Sequence, residues 1–211
     1  LKKIDLGKKV KANNFENEKI KEGLNFLKTI PSYPNRKLKD HQKKAYIHAI
    51  SLENFANFSV PGSGKTSVVY SVYAYFKSLG IVDSLLVIGP LNCFGSWSKE
   101  FENVFCRKPN EIRFKGNKCS RTSKYFSNKL NDKIDLYMTS FQTAQMDEEE
   151  LIFFLKEKRI LLVIDEAHYI KAIDGFRASS IIRIAEYAFL KCLLTGTPFP
   201  RSLTDAFNYF D

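Results

Sequence analysis

A short run near residue 60 combines two glycines with a lysine and a hydroxyl side chain. Its residues are Pro61, Gly62, Ser63, Gly64, Lys65 and Thr66. Glycines allow backbone N–H groups to converge on phosphate oxygens, and a following helix adds the positive end of its dipole. In such a loop Lys65 would reach the β- and γ-phosphates of a nucleotide, and Thr66 would bind Mg²⁺. The usual pattern has glycine at position 59, where this chain has Ser59. Since the two glycines make the close approach, we predict a phosphate-binding loop.

Two acidic residues, Asp165 and Glu166, follow the aliphatic run 160–164. A carboxylate at the end of a buried strand is costly unless its charge has a partner, and magnesium supplies one. We predict that Asp165 binds this ion, largely through water, with Thr66 as the second protein ligand. Glu166 would orient and deprotonate the attacking water. His168 stands where it could relay between the nucleotide and a neighbouring motif.

Other acidic and thiol groups predict no further metal centre. Asp147 and the glutamates at 148–150 are typical of a capped helix start, where acidic charge favours the helix dipole. The four cysteines form no CxxC pair, and only three histidines are present, so a zinc site is not expected. Scattered thiols indicate a reducing, intracellular compartment, which is cytoplasmic in a bacterium and nuclear in a eukaryote.

These chemical groups need a scaffold that brings separate strand ends together. Short apolar runs alternate with segments of helical periodicity; the runs are 56–60, 85–89, 111–115, 135–139, 160–164 and 191–195. This alternation predicts an α/β fold with a mostly parallel central sheet and helices on both faces. Ligands of such sheets bind beyond the carboxyl ends of the strands. The glycine-rich loop and the acidic pair both fall at such ends.

Apolar stripes predict the helices between the strands. One stripe holds Val68, Val69, Val72, Phe76 and Leu79 and is closed by Gly80; another holds Trp97, Phe101, Val104 and Phe105; a third holds Ala178, Ile181, Ile182 and Ala185. Trp97 is interpreted as core, because its neighbours continue the same face. Upstream, a helix is predicted near 14–29, and a second is predicted to start at Asp40 as its cap.

Size and charge bound the class of protein. The 211 residues can bury a core without disulfides or metals. The sequence contains no stretch of about 18 uncharged apolar residues, which is the length that a membrane-spanning helix needs. Leu1 in place of methionine suggests a fragment of a longer protein. The net charge of +10 is concentrated in residues 1–50, with 13 Lys/Arg against five Asp/Glu, and in 107–133, with nine against two. Two basic segments suggest a polyanion such as nucleic acid, with solubilising lysine as the alternative.

Taken in order, the motifs resemble a helicase-superfamily-2 motor, and within it the Swi/Snf-type DNA translocases. The similar segments are LKDHQ at 38–42, SVPGSGKT at 59–66, LLVIGPLNCFGSWSKEF at 85–101, LYMTSFQTA at 136–144, LVIDEAHYIK at 162–171 and LLTGTP at 193–198. The resemblance implies a RecA-like P-loop domain over 38–211, after a basic and partly helical N-terminal extension over 1–37. It implies an ATP hydrolase that uses ATP and Mg²⁺. The second RecA-like lobe of such motors would follow residue 211.

The resemblance also implies roles for residues outside the glycine-rich loop and the acidic pair. Gln42 would hydrogen-bond the adenine edge. Two strand ends would contact a nucleic-acid backbone, through Pro90, Leu91, Asn92, Thr139 and Ser140. Thr195 and Thr197 would couple the nucleotide site to that track. Trp97 remains core in this interpretation.

Three departures separate the chain from chromatin remodellers. Ser59-Val60 replaces an Asp-Glu pair, Ala172 stands where asparagine is frequent, and FPRS occupies 199–202. They favour a bacterial or phage-like member. We expect a motor lobe acting on double-stranded DNA; the alternatives are an RNA or forked-duplex helicase lobe and a non-motor ATP-dependent switch. Because arginine fingers of the second lobe raise rates by roughly 10³–10⁵-fold, we expect the isolated chain to bind ATP and hydrolyse it slowly.

Overall fold

The computed structural model describes residues 18–30, 37–52, 54–128, 133–171 and 175–196. The helices are α1 Glu18–Leu27, α2 Asp40–Leu52, α3 Lys65–Ser78, α4 Phe94–Phe105, α5 Lys118–Asn128, α6 Phe141–Met146, α7 Glu148–Lys156, α8 His168–Lys171 and α9 Gly175–Glu186. The strands are β1 Phe55–Asn57, β2 Ser84–Ile88, β3 Glu111–Arg113, β4 Leu136–Thr139, β5 Ile160–Ile164 and β6 Leu190–Leu194. A 3₁₀ turn, Leu91–Cys93, precedes α4.

The six strands form one sheet in the order β1-β6-β5-β2-β4-β3, and every pairing is parallel. All carboxyl ends therefore lie at one edge of the sheet. Each predicted apolar run contains or overlaps one of these strands, so the parallel α/β prediction is confirmed. The run 56–60 extends past β1, because its last three residues already belong to the loop before α3.

Alternation along the central strands divides the core between the two faces of the sheet. Leu85 and Val87 of β2 join one apolar cluster, and Leu86 and Ile88 join the other. Helices α1 to α4 cover the first face, while α5, α6, α7 and α9 cover the second. Burial on both sides explains why the central strands are continuous apolar runs.

Two predicted stripes are wrong at one position each. In α3 the predicted valines and Phe76 are buried, but Leu79 is 52% exposed because the helix ends at Ser78. Gly80, with φ of 66°, and the bond from Ile81 N–H to the Phe76 carbonyl then turn the chain away. In α9 the isoleucines Ile181 and Ile184 are buried, whereas Ile182 is 51% exposed on the outer side.

The N-terminal part differs from its prediction in detail. The described helix α1 begins at Glu18, and residues 1–17 and 31–36 lie outside the described part. Ile20 is fully buried, and Tyr46 of α2 donates to the Gly23 carbonyl at 3.0 Å. Asp40 is the first residue of α2 rather than its cap, because the Lys39 carbonyl already accepts from Lys43 N–H. The division of the chain at residues 37 and 38 stays a prediction.

Asp147 also differs from its prediction. It precedes α7, as predicted, but its side chain makes no capping bond. Its fully buried carboxylate instead accepts two hydrogen bonds from Arg121, at 2.6 and 2.8 Å, and one from the Tyr125 hydroxyl at 3.3 Å. A buried charge must be paired, and this pair joins α5 to the start of α7. No helix in the described ranges is long and apolar enough to cross a bilayer.

Candidate nucleotide-binding site

The loop between β1 and α3 has the backbone of a phosphate cradle. Gly62 and Gly64 have φ of 77° and 79°, in the left-handed region that other residues avoid. Gly64 is the N-cap of α3, and no side chain caps the helix there. The N–H groups of the first turn therefore face the concave side of the loop, where an anion can accept from them.

The side chains of Lys65 and Ser63 give the loop hydrogen-bond donors that fit a polyphosphate. The Lys65 ammonium lies inside the loop and donates to the carbonyls of Ser59 at 2.9 Å and Val60 at 3.3 Å. The Ser63 hydroxyl is buried and has no hydrogen-bond partner among the described residues. A buried orphan hydroxyl beside a lysine and open helix N–H groups is the donor set that phosphate oxygens require.

Asn57 accounts for the serine at position 59. The Asn57 side-chain oxygen accepts from both the N–H and the hydroxyl of Ser59, at 3.1 and 2.6 Å. These bonds fix the entry to the loop without the usual glycine. Asn57 is a contributor that sequence reasoning missed; an amide at the last position of β1 was the available signal.

Gln42 supports the cradle in this structure. Its amide nitrogen donates to the Ser63 carbonyl at 2.8 Å, and its oxygen accepts from Lys39 N–H at 2.8 Å. A methyl group on Gly64 would overlap the Gln42 amide nitrogen, so the present position of the Gln42 side chain requires glycine at 64. The neighbouring His41 is exposed, and its Nε2 lies 3.3 Å from the Ser63 carbonyl. Contact between Gln42 and adenine stays a prediction and would compete with these bonds.

Asp165 is held at the end of β5 by several donors. Its backbone N–H donates to the Ile88 carbonyl at 2.9 Å, which aligns it with the end of β2. Its Oδ1 accepts from Glu166 N–H at 2.9 Å, and its Oδ2 accepts from the Trp97 indole Nε1 at 2.8 Å. Burial, together with the charge of Asp165, raises the pKa of the neighbouring Cys93 thiol to about 12, so this thiol stays protonated at neutral pH.

Glu166 and His168 connect this carboxylate to the end of β6. Glu166 has φ of 52°, an uncommon backbone for a residue with a side chain. His168 Nδ1 lies 3.2 Å from Glu166 Oε2 and 3.2 Å from the Thr195 hydroxyl. Thr195 is fully buried beside this imidazole, and its coupling role stays a prediction. Thr197, the other residue predicted to couple, lies outside the described residues.

β6 also joins the acidic motif to the glycine-rich loop. Thr195 N–H donates to the Asn57 carbonyl at 3.4 Å, and Ala167 N–H donates to the Leu194 carbonyl at 2.9 Å. A methyl group on Gly196 would lie 2.7 Å from Pro61 Cγ. The loop, the end of β6 and the acidic pair are therefore contiguous at the carboxyl edge of the sheet.

The residues predicted to touch nucleic acid fall into two environments. Leu91 and Asn92 are exposed and Pro90 is half-buried, in the turn after β2. Thr139 is fully buried, which closes its side chain to a surface ligand in this conformation. The Ser140 hydroxyl caps α6, accepting from Thr143 N–H at 3.1 Å. A nucleic-acid contact at these positions stays a prediction.

Several cations of the basic segment 107–133 serve the fold. Arg107 binds Asp135 through two hydrogen bonds of 2.7 and 2.8 Å, and Arg121 binds Asp147. Lys118 lies 3.2 Å from Glu150. These cations neutralise buried or half-buried carboxylates. Fewer positive charges of the segment are therefore left for a polyanion than the charge count suggests.

A family model matches most of the chain. The model of the family described as the type III restriction enzyme, res subunit, matches residues 35–200. That span includes the glycine-rich loop, the acidic motif and β6.

Individual relatives are longer proteins. The chain is 30% identical over 144 residues to the ATP-dependent helicase fft1 of Schizosaccharomyces pombe, a match covering 68% of this chain and 15% of the relative. It is 29% identical over 173 residues to the transcription regulatory protein SNF2 of Saccharomyces cerevisiae, covering 80% of this chain and 10% of the relative.

A solved structure has the same fold. The SWI2/SNF2 ATPase core of Sulfolobus solfataricus, solved in complex with double-stranded DNA, superposes with a TM-score of 0.65 and 21% identity. The match covers 85% of this chain and 35% of that structure.

Proposed function

Because the chain belongs to the family of the type III restriction enzyme res subunit, as an N-terminal RecA-like lobe of Swi/Snf type in helicase superfamily 2, we propose that it is the ATP-binding lobe of a motor that translocates on double-stranded DNA. One observation carries the proposal. The phosphate cradle and the acidic pair, about a hundred residues apart in sequence, are joined through the end of β6 at one edge of the sheet.

The roles of the nucleotide-binding residues follow from their positions. Lys65 would exchange its two loop carbonyls for phosphate oxygens, and the Ser63 hydroxyl would gain a partner. Thr66 and Asp165 would hold Mg²⁺, which suits an ion usually bound by one or two protein oxygens besides phosphates and water. Bound Mg²⁺ would supply neutralisation of the phosphate charge.

We assign proton transfer from the attacking water, and coupling of the nucleotide site to β6, to the residues that follow Asp165. Glu166 accepts a proton from the attacking water and orients it. His168, between Glu166 Oε2 and the Thr195 hydroxyl, connects the occupancy of the site to β6. Gln42 supports the cradle from α2 and is available for the adenine edge.

A second RecA-like lobe in the longer protein would complete the site. The relatives are much longer than the matched span, which supports such a partner. ATP would close the two lobes and hydrolysis reopen them, as in hinge and shear transitions. Double-stranded DNA is favoured as substrate because the Sulfolobus ATPase core was solved with it. An intracellular location and a bacterial or phage-like origin stay predictions.

The first test is nucleotide binding by the 211-residue chain. We expect a fluorescent ATP analogue with Mg²⁺ to bind, and Lys65→Ala to weaken its affinity at least ten-fold, since a charged hydrogen-bond donor to phosphate is lost. Unchanged affinity in Lys65→Ala would refute the cradle. The hydrolysis rate of the chain alone should stay far below that of a protein that includes the second lobe.

The second test separates the possible substrates. In a protein that includes the second lobe, blunt double-stranded DNA should stimulate ATP hydrolysis more than RNA or a forked duplex does. Stimulation by RNA or forks instead would favour the helicase alternative. Hydrolysis that no nucleic acid stimulates would favour the ATP-dependent switch and contradict the motor.

A further inference from the structure

We propose that Trp97 is a positioning residue for the magnesium site: its indole N–H orients the Asp165 carboxylate and ties that carboxylate to the helix of the phosphate cradle. The proposal rests on the proposed function, in that Asp165 is taken to hold Mg²⁺. Sequence reasoning placed Trp97 in the core, and its 1% exposure agrees with that interpretation. The core role leaves the polar end of the indole unexplained.

The hydrogen bond determines which carboxylate positions are left for an ion. A carboxylate offers about four lone-pair sites on its two oxygens. Glu166 N–H occupies a site on Oδ1, and Trp97 Nε1 occupies a site on Oδ2 at 2.8 Å. With one donor on each oxygen, rotation of the carboxylate about its last torsion breaks at least one bond. The remaining lone-pair sites are therefore held in a fixed orientation.

Trp97 is itself held by α3, the helix that follows the glycine-rich loop. The Tyr70 hydroxyl of α3 donates to the Trp97 carbonyl at 2.7 Å, and the two rings make an edge contact with centroids 5.3 Å apart. One turn nearer the cradle, Ser67 donates to Glu100 of α4. Helix α4 is thus bound to α3 at two points, and the Trp97 indole extends from α4 to Asp165.

This arrangement links two halves of the site by a path that does not use β6. Lys65 and Thr66 begin α3, so the residues that would bind phosphate and metal belong to the helix that holds Trp97. Groups that orient a metal ligand from behind typically change metal affinity by 10–100-fold when removed. Trp97 is such a group for Asp165, since it donates a hydrogen bond to an oxygen of the proposed metal ligand and is not itself a ligand.

The test compares Trp97→Phe with Phe101→Leu. The first variant keeps an aromatic ring and loses the N–H donor; the second also removes buried aromatic volume from α4 but makes no bond to Asp165. The readout is the Mg²⁺ concentration that gives half-maximal enhancement of ADP binding, measured with a fluorescent ADP analogue. We expect this concentration to rise about ten-fold or more in Trp97→Phe and to stay unchanged in Phe101→Leu.

Nucleotide affinity in EDTA should be the same in wild type and Trp97→Phe, because the cradle contacts remain. A Mg²⁺ midpoint in Trp97→Phe equal to that of wild type would overturn the positioning role, while nucleotide binding by the wild type would leave the proposed function intact. Absence of nucleotide binding in the wild type would overturn both. Thermal unfolding followed by circular dichroism shows whether each variant is folded.

A measurement on the wild type does not depend on any variant folding. Trp97 is the single tryptophan of the chain, so intrinsic fluorescence reports on this one indole. With ADP bound, addition of Mg²⁺ should change its emission, because a divalent charge would arrive at the carboxylate that accepts its N–H. Emission that does not respond to Mg²⁺ under conditions where Mg²⁺ tightens ADP binding would contradict the proposal.

Discussion

At the scale of single residues, the most unusual backbone in the site belongs to Glu166. Its left-handed conformation is stabilised by the bond from its own N–H to Asp165 Oδ1. The same bond fixes Asp165, so the two carboxylates of the proposed site share one local geometry. Such backbone strain persists where the surroundings over-determine it. Here the sharp turn after β5 directs Glu166 toward His168.

We predict that Glu166→Gln binds nucleotide as the wild type does and hydrolyses it 10²–10⁴-fold more slowly, the usual loss for a missing general base. Glutamine has the same length and does not change the backbone. The measurement is single-turnover hydrolysis beside equilibrium binding, in a protein that includes the second lobe. Hydrolysis at the wild-type rate would remove Glu166 as the base.

At the scale of elements, the end of β6 is the joint between the two nucleotide motifs. Gly196 packs against Pro61 so closely that a methyl group has no room, with Pro61 Cγ and Cδ at 2.7 and 2.8 Å. The ring cannot yield easily, because Pro61 is part of the loop backbone. A side chain at position 196 must therefore displace the cradle.

We predict that Gly196→Ala weakens Mg·ATP binding several-fold. The matched control is Gly95→Ala in α4, where a methyl group meets nothing within 4 Å. That control should bind nucleotide normally and be slightly more stable, since alanine favours a helix over glycine by about 1 kcal/mol. Equal affinities of the two variants and the wild type would show that β6 does not support the loop.

Elements were predictable wherever a local pattern identified them. All six strands follow from apolar runs, and α3 follows from its stripe and the glycine that ends it. Helices α5, α6 and α8 and the 3₁₀ turn at Leu91–Cys93 were not predicted. All of these except α5 are too short to show periodicity. Asp147 was misjudged because a helix start and a buried ion pair both use an acidic residue at the same position.

At the scale of the whole molecule, buried carboxylates paired with basic side chains join distant parts of the chain to the sheet. Asp135, 3% exposed before β4, accepts from Arg107 and from Asn110 N–H at 3.1 Å. Burial alone would raise the pKa of Asp135, but the hydrogen bonds from Arg107 and Asn110 outweigh it and hold the pKa below its ordinary value of 3.8. The unfolded chain therefore binds this proton more readily than the folded one.

We predict that the free energy of unfolding falls as pH is lowered below about 4, through the ordinary pKa of Asp135 and then through its lower folded value. Asp135→Asn should be less stable at pH 7, by about 1–3 kcal/mol, and should lose stability less steeply below pH 4. Glu149→Gln, at an exposed site, is the control. Urea unfolding at pH 7 and pH 3.5 measures both; parallel pH slopes in Asp135→Asn and wild type would contradict the assignment.

The amino-acid sequence by itself determined the parallel α/β architecture, the phosphate loop and the acidic pair. Each is encoded by neighbours along the chain: an apolar run, two glycines before a lysine, a carboxylate at a strand end. Only the tertiary structure decided which side chains hold those groups. Trp97 reaches Asp165 across 68 residues and Gln42 reaches Ser63 across 21. A polar side chain is satisfied by whichever donor or acceptor packing brings beside it, and that pairing leaves no pattern in the local sequence.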